Sequence, residues 1–166
     1  YSTTVKDLFT AVLSEIYVQN DSGVKIFLGV VTEYNRTKDA NGNYTLQIGS
    51  VDYFSLLQKR RTGSDDTFIG VDPATIPWSL INASQTSGLP SADLGIRQGS
   101  TASTGLTVTQ EFKRIDIKQA ITDLSNYKVQ GSFDFDIDYT KNFNVYFPTK
   151  GSVRSNIVLD DNNIIG

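Results

Sequence analysis

The segment GSFDFDIDYTKNFNVYFP, residues 131–148, decides the fold because polar and apolar residues alternate on both sides of a polar turn. In its first half Asp134, Asp136 and Asp138 alternate with Phe133, Phe135, Ile137 and Tyr139. Its second half continues the apolar row with Phe143, Val145 and Phe147. Successive side chains of a β-strand point to opposite faces. The segment therefore predicts a half-buried hairpin with a carboxylate face in water and an aromatic face on a core.

The three aspartates have an alternative interpretation as a metal or catalytic site. Their D-x-D-x-D spacing is that of the start of a calcium loop, but such a loop needs a glycine at its sharp turn and a glutamate at its end. The intervening residues here favour an extended chain, with the carboxylates about 6.5–7 Å apart on one face. We therefore predict no catalytic, cofactor-binding or metal-binding residues. A second acidic group, LDDNN at residues 159–163, is typical of a turn, with a weak cation site as the alternative.

The composition excludes several kinds of active site. The 166-residue chain has no cysteine and no histidine, which excludes zinc sites with the usual ligands, thiol nucleophiles and Ser-His-Asp triads. The net charge is -3, and the one basic run, Lys59, Arg60 and Arg61, indicates a helix end, with a phosphate or acidic partner as the alternative. We expect no specific nucleic-acid partner. No apolar run reaches the ~20 residues of a membrane span.

The pattern along the chain predicts an α+β fold of antiparallel, β-rich domains with a few short helices packed on the sheets. We divide it into residues 1–66, a helix plus a β-hairpin region, and residues 67–166, an α+β domain. A loop at residues 62–70, rich in Gly, Ser and Asp, separates them. The chain contains no methionine, even at position 1, and we expect it to be a piece of a longer polypeptide.

The first region is predicted to begin with a helix over residues 3–16, capped by Thr4 and Asp7. A strand at 25–34 and a return strand at 45–51 follow, joined by a turn with Asn41-Gly42 as a left-handed pair. A short helix within residues 50–61 then brings Phe54, Leu56 and Leu57 near a core.

The second region is predicted to contain helices near 76–86 and 117–125 and a hairpin near 130–148. Pro77 suits the first turn of one helix, and Asp116 with Gln119 form a capping box for the other. Trp78 indicates a core position, with an interface anchor as the alternative. The remaining predicted elements are a surface excursion at 87–106 with one brief strand at 94–96, a strand at 106–112 and a last strand at 155–165.

The order of these elements resembles the minor tail proteins of long-tailed bacteriophages. Those proteins carry a W-x-L-I-x-x-[ST]-Q helix, an LGI strand, an I-x-x-A-I-x-x-L helix and a G-x-D-F-x-I strand. The matching residues are Trp78, Leu80, Ile81 and Gln85; Leu94, Gly95 and Ile96; Ile117, Ala120, Ile121 and Leu124; and Gly131 with Phe133 to Ile137. The segment IFLGVVTEY and the helix ending in basic residues extend the resemblance over roughly residues 25–160. Ser132 departs from the pattern.

The resemblance implies a hub-like, partly barrel architecture and a structural component of a phage tail tip or baseplate hub, linking the tail tube to the tip or fibre machinery. It implies no enzymatic activity, a homotrimer, other tail proteins as partners and a location in the virion. Contact with the host cell envelope is a further expectation. Two alternatives stay open: a carbohydrate- or receptor-binding module, suggested by eight tyrosines and one tryptophan, and a carboxylate-dependent cell-wall hydrolase.

Overall fold

A computed structural model describes residues 14–86, 93–126 and 132–151 of the chain. These residues form the strands β1 (Glu15–Gln19), β2 (Lys25–Lys38), β3 (Tyr44–Asp52), β4 (Asp66–Val71), β5 (Arg97–Thr101), β6 (Val108–Phe112), β7 (Asp134–Ile137) and β8 (Asn142–Tyr146). They also form the helices α1 (Tyr53–Leu56), α2 (Ile76–Gln85) and α3 (Ile117–Ser125), and a 3-10 turn, Leu57–Lys59, that follows α1. The fold is therefore mixed α+β, as predicted.

The strands form three sheets with the orders β1-β2-β3, β4-β6 and β5-β8-β7. All pairs are antiparallel except β5 with β8, which run parallel. The predicted antiparallel-rich sheets are confirmed, and the parallel pair corrects the expectation of antiparallel pairing throughout. Periodicity within one segment contains no information about so distant a partner strand. Among the described residues no sheet closes into a barrel, so the barrel-like part of the resemblance has no counterpart there.

The opening segment forms the predicted hairpin from β7 and β8. Residues 134–137 pair with residues 143–146, so the carboxylates of Asp134 and Asp136 share one face with Tyr146, and the apolar side chains share the other. The buried members of the aromatic face are Phe133, Phe143 and Val145. The hairpin thus contributes one wall of the hydrophobic core.

Two residues predicted on the core face of this hairpin are exposed instead. Tyr139 is 55% exposed and Phe147 is 37% exposed. Tyr139 lies in the turn between the strands, and Phe147 follows the last paired residue of β8. Because neither residue lies in a paired strand, the alternation of strand side chains does not determine the direction in which either side chain points.

The predicted N-terminal helix is wrong at its end. Glu15 and Ile16, which would have been its last residues, begin β1 and pair with β2. The local pattern is compatible with helix and strand alike, and the neighbouring strand decides between them. The rest of that helix, including its cap at Thr4 and Asp7, lies outside the described residues.

The turn between β2 and β3 also differs from the prediction. Gly42 has a φ of +86°, but Asn41 does not share this left-handed conformation. The Asp39 carboxylate accepts hydrogen bonds from the N–H groups of Asn41 and Asn43, at 2.9 and 2.7 Å. This pattern fits a three-residue loop, in which a type I turn is followed by a left-handed glycine.

Residues 62–70 were predicted to be a loop, yet residues 66–70 belong to β4. Asp66 of β4 lies opposite Phe112 of β6, and the rings of Phe68 and Phe112 pack edge to face with centroids 6.0 Å apart. The Gly, Ser and Asp of this segment indicate a loop, but pairing with a distant strand overrides that local preference. The brief strand predicted at 94–96 likewise begins later, at Arg97.

One hydrophobic core contains residues from both sides of the division predicted at 66/67. Val30 and Leu57 lie in it together with Ile121 and Phe143. Trp78, predicted to be a core residue, is partly buried against this core. The division into two domains stays a prediction.

The helices predicted near 76–86 and 117–125 are confirmed as α2 and α3. Pro77 lies in the first turn of α2, and Asp116 caps α3 by accepting the N–H of Gln119 at 2.7 Å. The Gln119 side chain, predicted to complete a capping box, donates to Asp123 at 2.6 Å. The strand predicted at 155–165 and the acidic turn at 159–163 lie outside the described residues.

Candidate functional site

The carboxylates on the polar face of the β7–β8 hairpin are engaged in hydrogen bonds and an ion pair with nearby residues. Asp136 accepts a hydrogen bond from Asn144 Nδ2 at 3.0 Å and forms an ion pair with Lys150. Asp134 accepts the backbone N–H of Lys150 at 2.9 Å. The hydrogen bond to Asp136 raises the pKa of the Lys150 ammonium. Lys150 therefore holds the chain that follows β8 against the carboxylates of β7.

Asp138 shapes the turn of the same hairpin. Its carboxylate accepts the backbone N–H groups of Thr140 and Asn142, at 2.7 and 3.0 Å. Burial raises the pKa of Asp138, but the hydrogen bonds outweigh burial and the net shift is downward. In the part of the chain that the structure describes, no group of three acidic side chains is arranged to hold a metal ion. The three aspartates have structural contacts within the hairpin.

Asn144, which the sequence reasoning missed, connects the three strands of the β5-β8-β7 sheet. Its Oδ1 accepts the N–H of Ser100 at 3.0 Å, while its Nδ2 donates to Asp136. A Cβ at Gly99 would lie 2.2 Å from Asn144 Oδ1, so this close approach requires glycine. The only available sequence signal is an asparagine at the centre of β8, between Phe143 and Val145.

A second polar cluster joins β1, α1 and the β7–β8 turn. Glu15 accepts hydrogen bonds from Lys141 and Tyr53, and these lower the pKa of Glu15. Burial, followed by the contact with Glu15, raises the pKa of Tyr53. Burial lowers the pKa of Lys141, but its bonds to Glu15 and Tyr53 outweigh burial and raise it. A nucleophilic lysine needs a lowered pKa, so this cluster suits the joining of elements better than covalent chemistry.

Gln85, one of the residues that carry the phage resemblance, joins α2 to the segment before β5. Its Oε1 accepts the N–H groups of Leu94 and Ile96, at 3.2 and 3.0 Å. Its Nε2 donates to the carbonyl oxygen of Ile96 at 3.0 Å. The side-chain amide thus supplies the hydrogen bonds that a neighbouring strand would otherwise make with this segment's backbone.

Asp72 makes a comparable connection between the chain before α2 and the loop before β6. Its carboxylate accepts hydrogen bonds from Ser103 Oγ at 2.6 Å, the Thr104 N–H at 3.0 Å and the Ala74 N–H at 2.9 Å. Burial raises the pKa of Asp72, but these hydrogen bonds outweigh burial and the net shift is downward. The carboxylate therefore stays ionised at neutral pH.

The basic run borders a cavity of about 470 Å³ beside α2. Lys59 ends the 3-10 turn, where a cation complements the helix dipole. Arg61 Nη1 donates to the carbonyl oxygen of Arg114 at 3.1 Å. Arg60 is the C-cap of the turn, so the structural positions of these residues fit the interpretation of the run as a helix end.

The β1-β2-β3 sheet stands apart because its apolar side chains face solvent. The large hydrophobic residues exposed in it or in its first turn are Tyr17, Val18, Val24, Ile26, Tyr34, Tyr44 and Leu46. The core covers the sheet only near its centre, where Val30 and Val31 are buried. From Thr32 to Lys38 every residue of β2 is exposed.

The outer part of β2 and β3, residues 33–38 and 44–49, forms a two-stranded ribbon with two unlike faces. Its register places six residues on one side, which we call the ribbon face: Tyr34, Arg36, Lys38, Tyr44, Leu46 and Ile48. The Arg36 guanidinium lies 4.1 Å and the Lys38 ammonium 5.2 Å from the centre of the Tyr44 ring. The ribbon face is therefore aromatic, aliphatic and cationic.

The other side of the ribbon is polar. Its members are Glu33, Asn35, Thr37, Thr45, Gln47 and Gly49. Glu33, Asn35 and Gln47 line a cavity of about 190 Å³ together with Tyr34 and Gly49. The ribbon thus has the alternation of a half-buried sheet, although both of its faces are exposed.

The opposite end of the sheet, where β1 turns into β2, is also exposed. We call it the hairpin end; its large apolar residues are Tyr17, Val18, Val24 and Ile26, and the register places Tyr17 and Val18 on opposite faces of the sheet. Ile26 is 65% exposed and Val24 is 54% exposed. The Lys25 ammonium lies 4.5 Å from the centre of the Tyr17 ring, and Asp21 is exposed in the turn.

No protein-family model matches the chain, and a search of the curated proteins returns no match. Membership of the phage tail family is therefore a proposal. Within the described ranges no helix has the length and apolar character needed to cross a membrane. The exposed β1-β2-β3 sheet is the candidate functional surface, because the polar clusters described above are engaged within the fold.

Proposed function

We propose that the chain is a structural, assembly-forming module of the tail tip or baseplate hub of a long-tailed bacteriophage, where it links the tail tube to the tip or fibre machinery. Its partners are further copies of itself, as a homotrimer, and other tail proteins. The exposed β1-β2-β3 sheet carries this proposal. A monomer seldom exposes so many large apolar side chains in one sheet unless a partner covers them.

The residues of the resemblance support the proposal through their structural roles. The helix positions of the pattern are buried in the core: Leu80, Ile81, Ile117, Ala120, Ile121 and Leu124. Gln85 fastens the LGI segment, and Phe133 covers the core from the hairpin. The pattern thus describes a packing framework, as expected for a family whose members share a scaffold.

Immunoelectron microscopy tests the proposal. Antibodies raised against the recombinant 166-residue chain should label one end of the tail in phage particles from its source, and mass spectrometry of purified particles should detect its peptides. Pre-immune serum is the control. Absence of both the label and the peptides from purified particles would contradict a role in the virion.

A carbohydrate-binding module of a phage tail is the second candidate, because of the cavity on the polar side of the ribbon. Amides and a carboxylate, here those of Asn35, Gln47 and Glu33, are groups that hydrogen-bond to sugars. Pull-down with purified cell-wall polysaccharide should then weaken on Asn35→Ala with Gln47→Ala and be unaffected by Gln98→Ala. No retention of the unmodified chain on host envelope glycans would remove this candidate.

A further inference from the structure

The basic run lines one wall of the cavity of about 470 Å³ beside α2. The opposite wall consists of Leu80, Ala83 and Ser84, whose spacing places them on one face of α2. Asp66, at the start of β4, lies at a third side. A volume of roughly 300–1,000 Å³ is typical of small-molecule sites in proteins, so this cavity has the size of such a site.

Backbone hydrogen bonds hold the wall that carries the cations. The carbonyl oxygen of Arg60 accepts the N–H of Ile117 at 2.9 Å, and the carbonyl oxygen of Gly63 accepts the N–H of Arg114 at 2.9 Å. The segment of the basic run is thus paired, like a short strand, with the chain that leads into α3. Since this wall is formed before any ligand arrives, a ligand does not have to order it.

The fold leaves two of the cations in this wall without a neutralising partner. No hydrogen bond, ion pair or ring contact joins the Lys59 ammonium to another residue that the structure describes. Arg61 Nη1 donates to the carbonyl oxygen of Arg114 at 3.1 Å, which leaves most N–H donors of the guanidinium available. This bond orients the Arg61 guanidinium but does not neutralise it, because a carbonyl group has no net charge.

The charge of the cavity is opposite to that of the chain. The lining contains three cations and one carboxylate, Asp66, a net charge of +2, whereas the whole chain has a net charge of -3. Asp66 accepts the N–H of Gly63 at 2.7 Å, so its carboxylate already has a partner. A cleft lined by charges of one sign attracts ligands of the other sign. A phosphate monoester carries about 1.5–2 negative charges at pH 7, and its oxygens match both the arginine fork and the lysine ammonium.

We propose that this cavity binds the phosphate monoester of a small polyol or sugar. The phosphate lies against Lys59 and Arg61, and the body of the ligand lies against α2. Ser84 Oγ donates to the carbonyl oxygen of Ile81 at 2.7 Å, so its lone pairs can accept a hydrogen bond from a ligand hydroxyl. The inference goes beyond the proposed assembly function and does not depend on it.

Titration of the isotope-labelled full chain with glycerol 3-phosphate tests the site by NMR. The amide signals of residues 59–63 and 80–84 should shift and saturate, while neutral glycerol, and sodium chloride at equal ionic strength, should leave them in place. Lys59→Gln should weaken binding about tenfold to a hundredfold, the expected effect of losing one charge-assisted hydrogen bond. Lys113→Gln, which removes an exposed ammonium outside the cavity, is the matched control and should bind as the unmodified chain does.

The same phosphate group occurs on free polyol phosphates and in the headgroup of phosphatidic acid, and vesicle flotation distinguishes the two sources. NMR shifts without flotation identify a free phosphate ester as the ligand. Flotation with phosphatidic acid vesicles but not with phosphatidylcholine vesicles, lost in Lys59→Gln, identifies the lipid headgroup. Urea unfolding of both variants separates lost binding from lost folding. The proposal is overturned if neither ligand binds, if sodium chloride reproduces the shifts, or if Lys59→Gln binds as tightly as Lys113→Gln.

Discussion

Replacing Gln85 by alanine removes three hydrogen bonds that fasten the segment before β5 to α2. The N–H groups of Leu94 and Ile96 lose their acceptor, and the carbonyl of Ile96 loses its donor. At about 0.5–1.5 kcal/mol net per hydrogen bond, the expected loss is about 3 kcal/mol. Ile96 is only 4% exposed, so water cannot readily replace the lost partners there. Against a typical total of about 5–15 kcal/mol, this is a large change in the free energy of unfolding.

Urea unfolding measures this loss directly. Trp78 is the single tryptophan and lies on α2, so its fluorescence reports on the helix that Gln85 anchors. Gln98→Ala is the matched control, because Gln98 is exposed in β5, and its effect should stay within about 0.5 kcal/mol. Hydrogen exchange at Leu94 and Ile96 should also accelerate in the Gln85 variant. A loss below about 1 kcal/mol, or one equal to that of Gln98→Ala, would refute the role assigned to the amide.

Three further predictions concern stability. Asp72 has a folded-state pKa below its usual value of 3.8, so its contribution is present above pH 3.8 and is lost as pH falls through the lower folded-state pKa. Asp72→Asn should therefore lower the free energy of unfolding at pH 7. It should also weaken the fall of that free energy as the pH drops below 3.8, and an unchanged fall would contradict this. Asp116→Ala, which removes the cap of α3, should cost about 1 kcal/mol in urea unfolding, and no change would rule out the cap. Phe143→Ala should cost about 3–5 kcal/mol in the same assay, because Phe143 is fully buried, and a cost near that of a surface substitution would contradict its place in the core.

The parts of the fold that follow from local pattern could be predicted from the sequence. Alternation fixes β7 and β8, and apolar spacing with Asp116 before it fixes α3. Predictions fail where a distant partner decides the outcome. Glu15 begins a strand because β2 lies beside it, and the segment around Phe68 forms β4 because β6 lies beside it. The parallel pairing of β5 with β8 likewise depends on a partner strand that is distant in the sequence.

The candidate site was less accessible to sequence reasoning. The opening aspartates, for which a metal or catalytic site was the alternative interpretation, contact groups of the chain itself, since Asp136 binds Asn144 and Lys150. Tyr34 and Leu46 look like ordinary strand residues in sequence, because alternation marks a face as apolar without telling whether anything covers it. Only the position of the core, which ends near Val31, reveals that the ribbon face is exposed.

Hydrogen–deuterium exchange of the full chain at low and high protein concentration tests most directly whether the β1-β2-β3 sheet is an assembly surface. We expect slower exchange at high concentration in peptides covering residues 17–26 and 33–46, because assembly would cover the exposed side chains of the sheet. Peptides covering residues 66–71 in β4 should exchange at the same rate in both samples. Exchange in the sheet that is independent of concentration up to the highest attainable value would contradict the account.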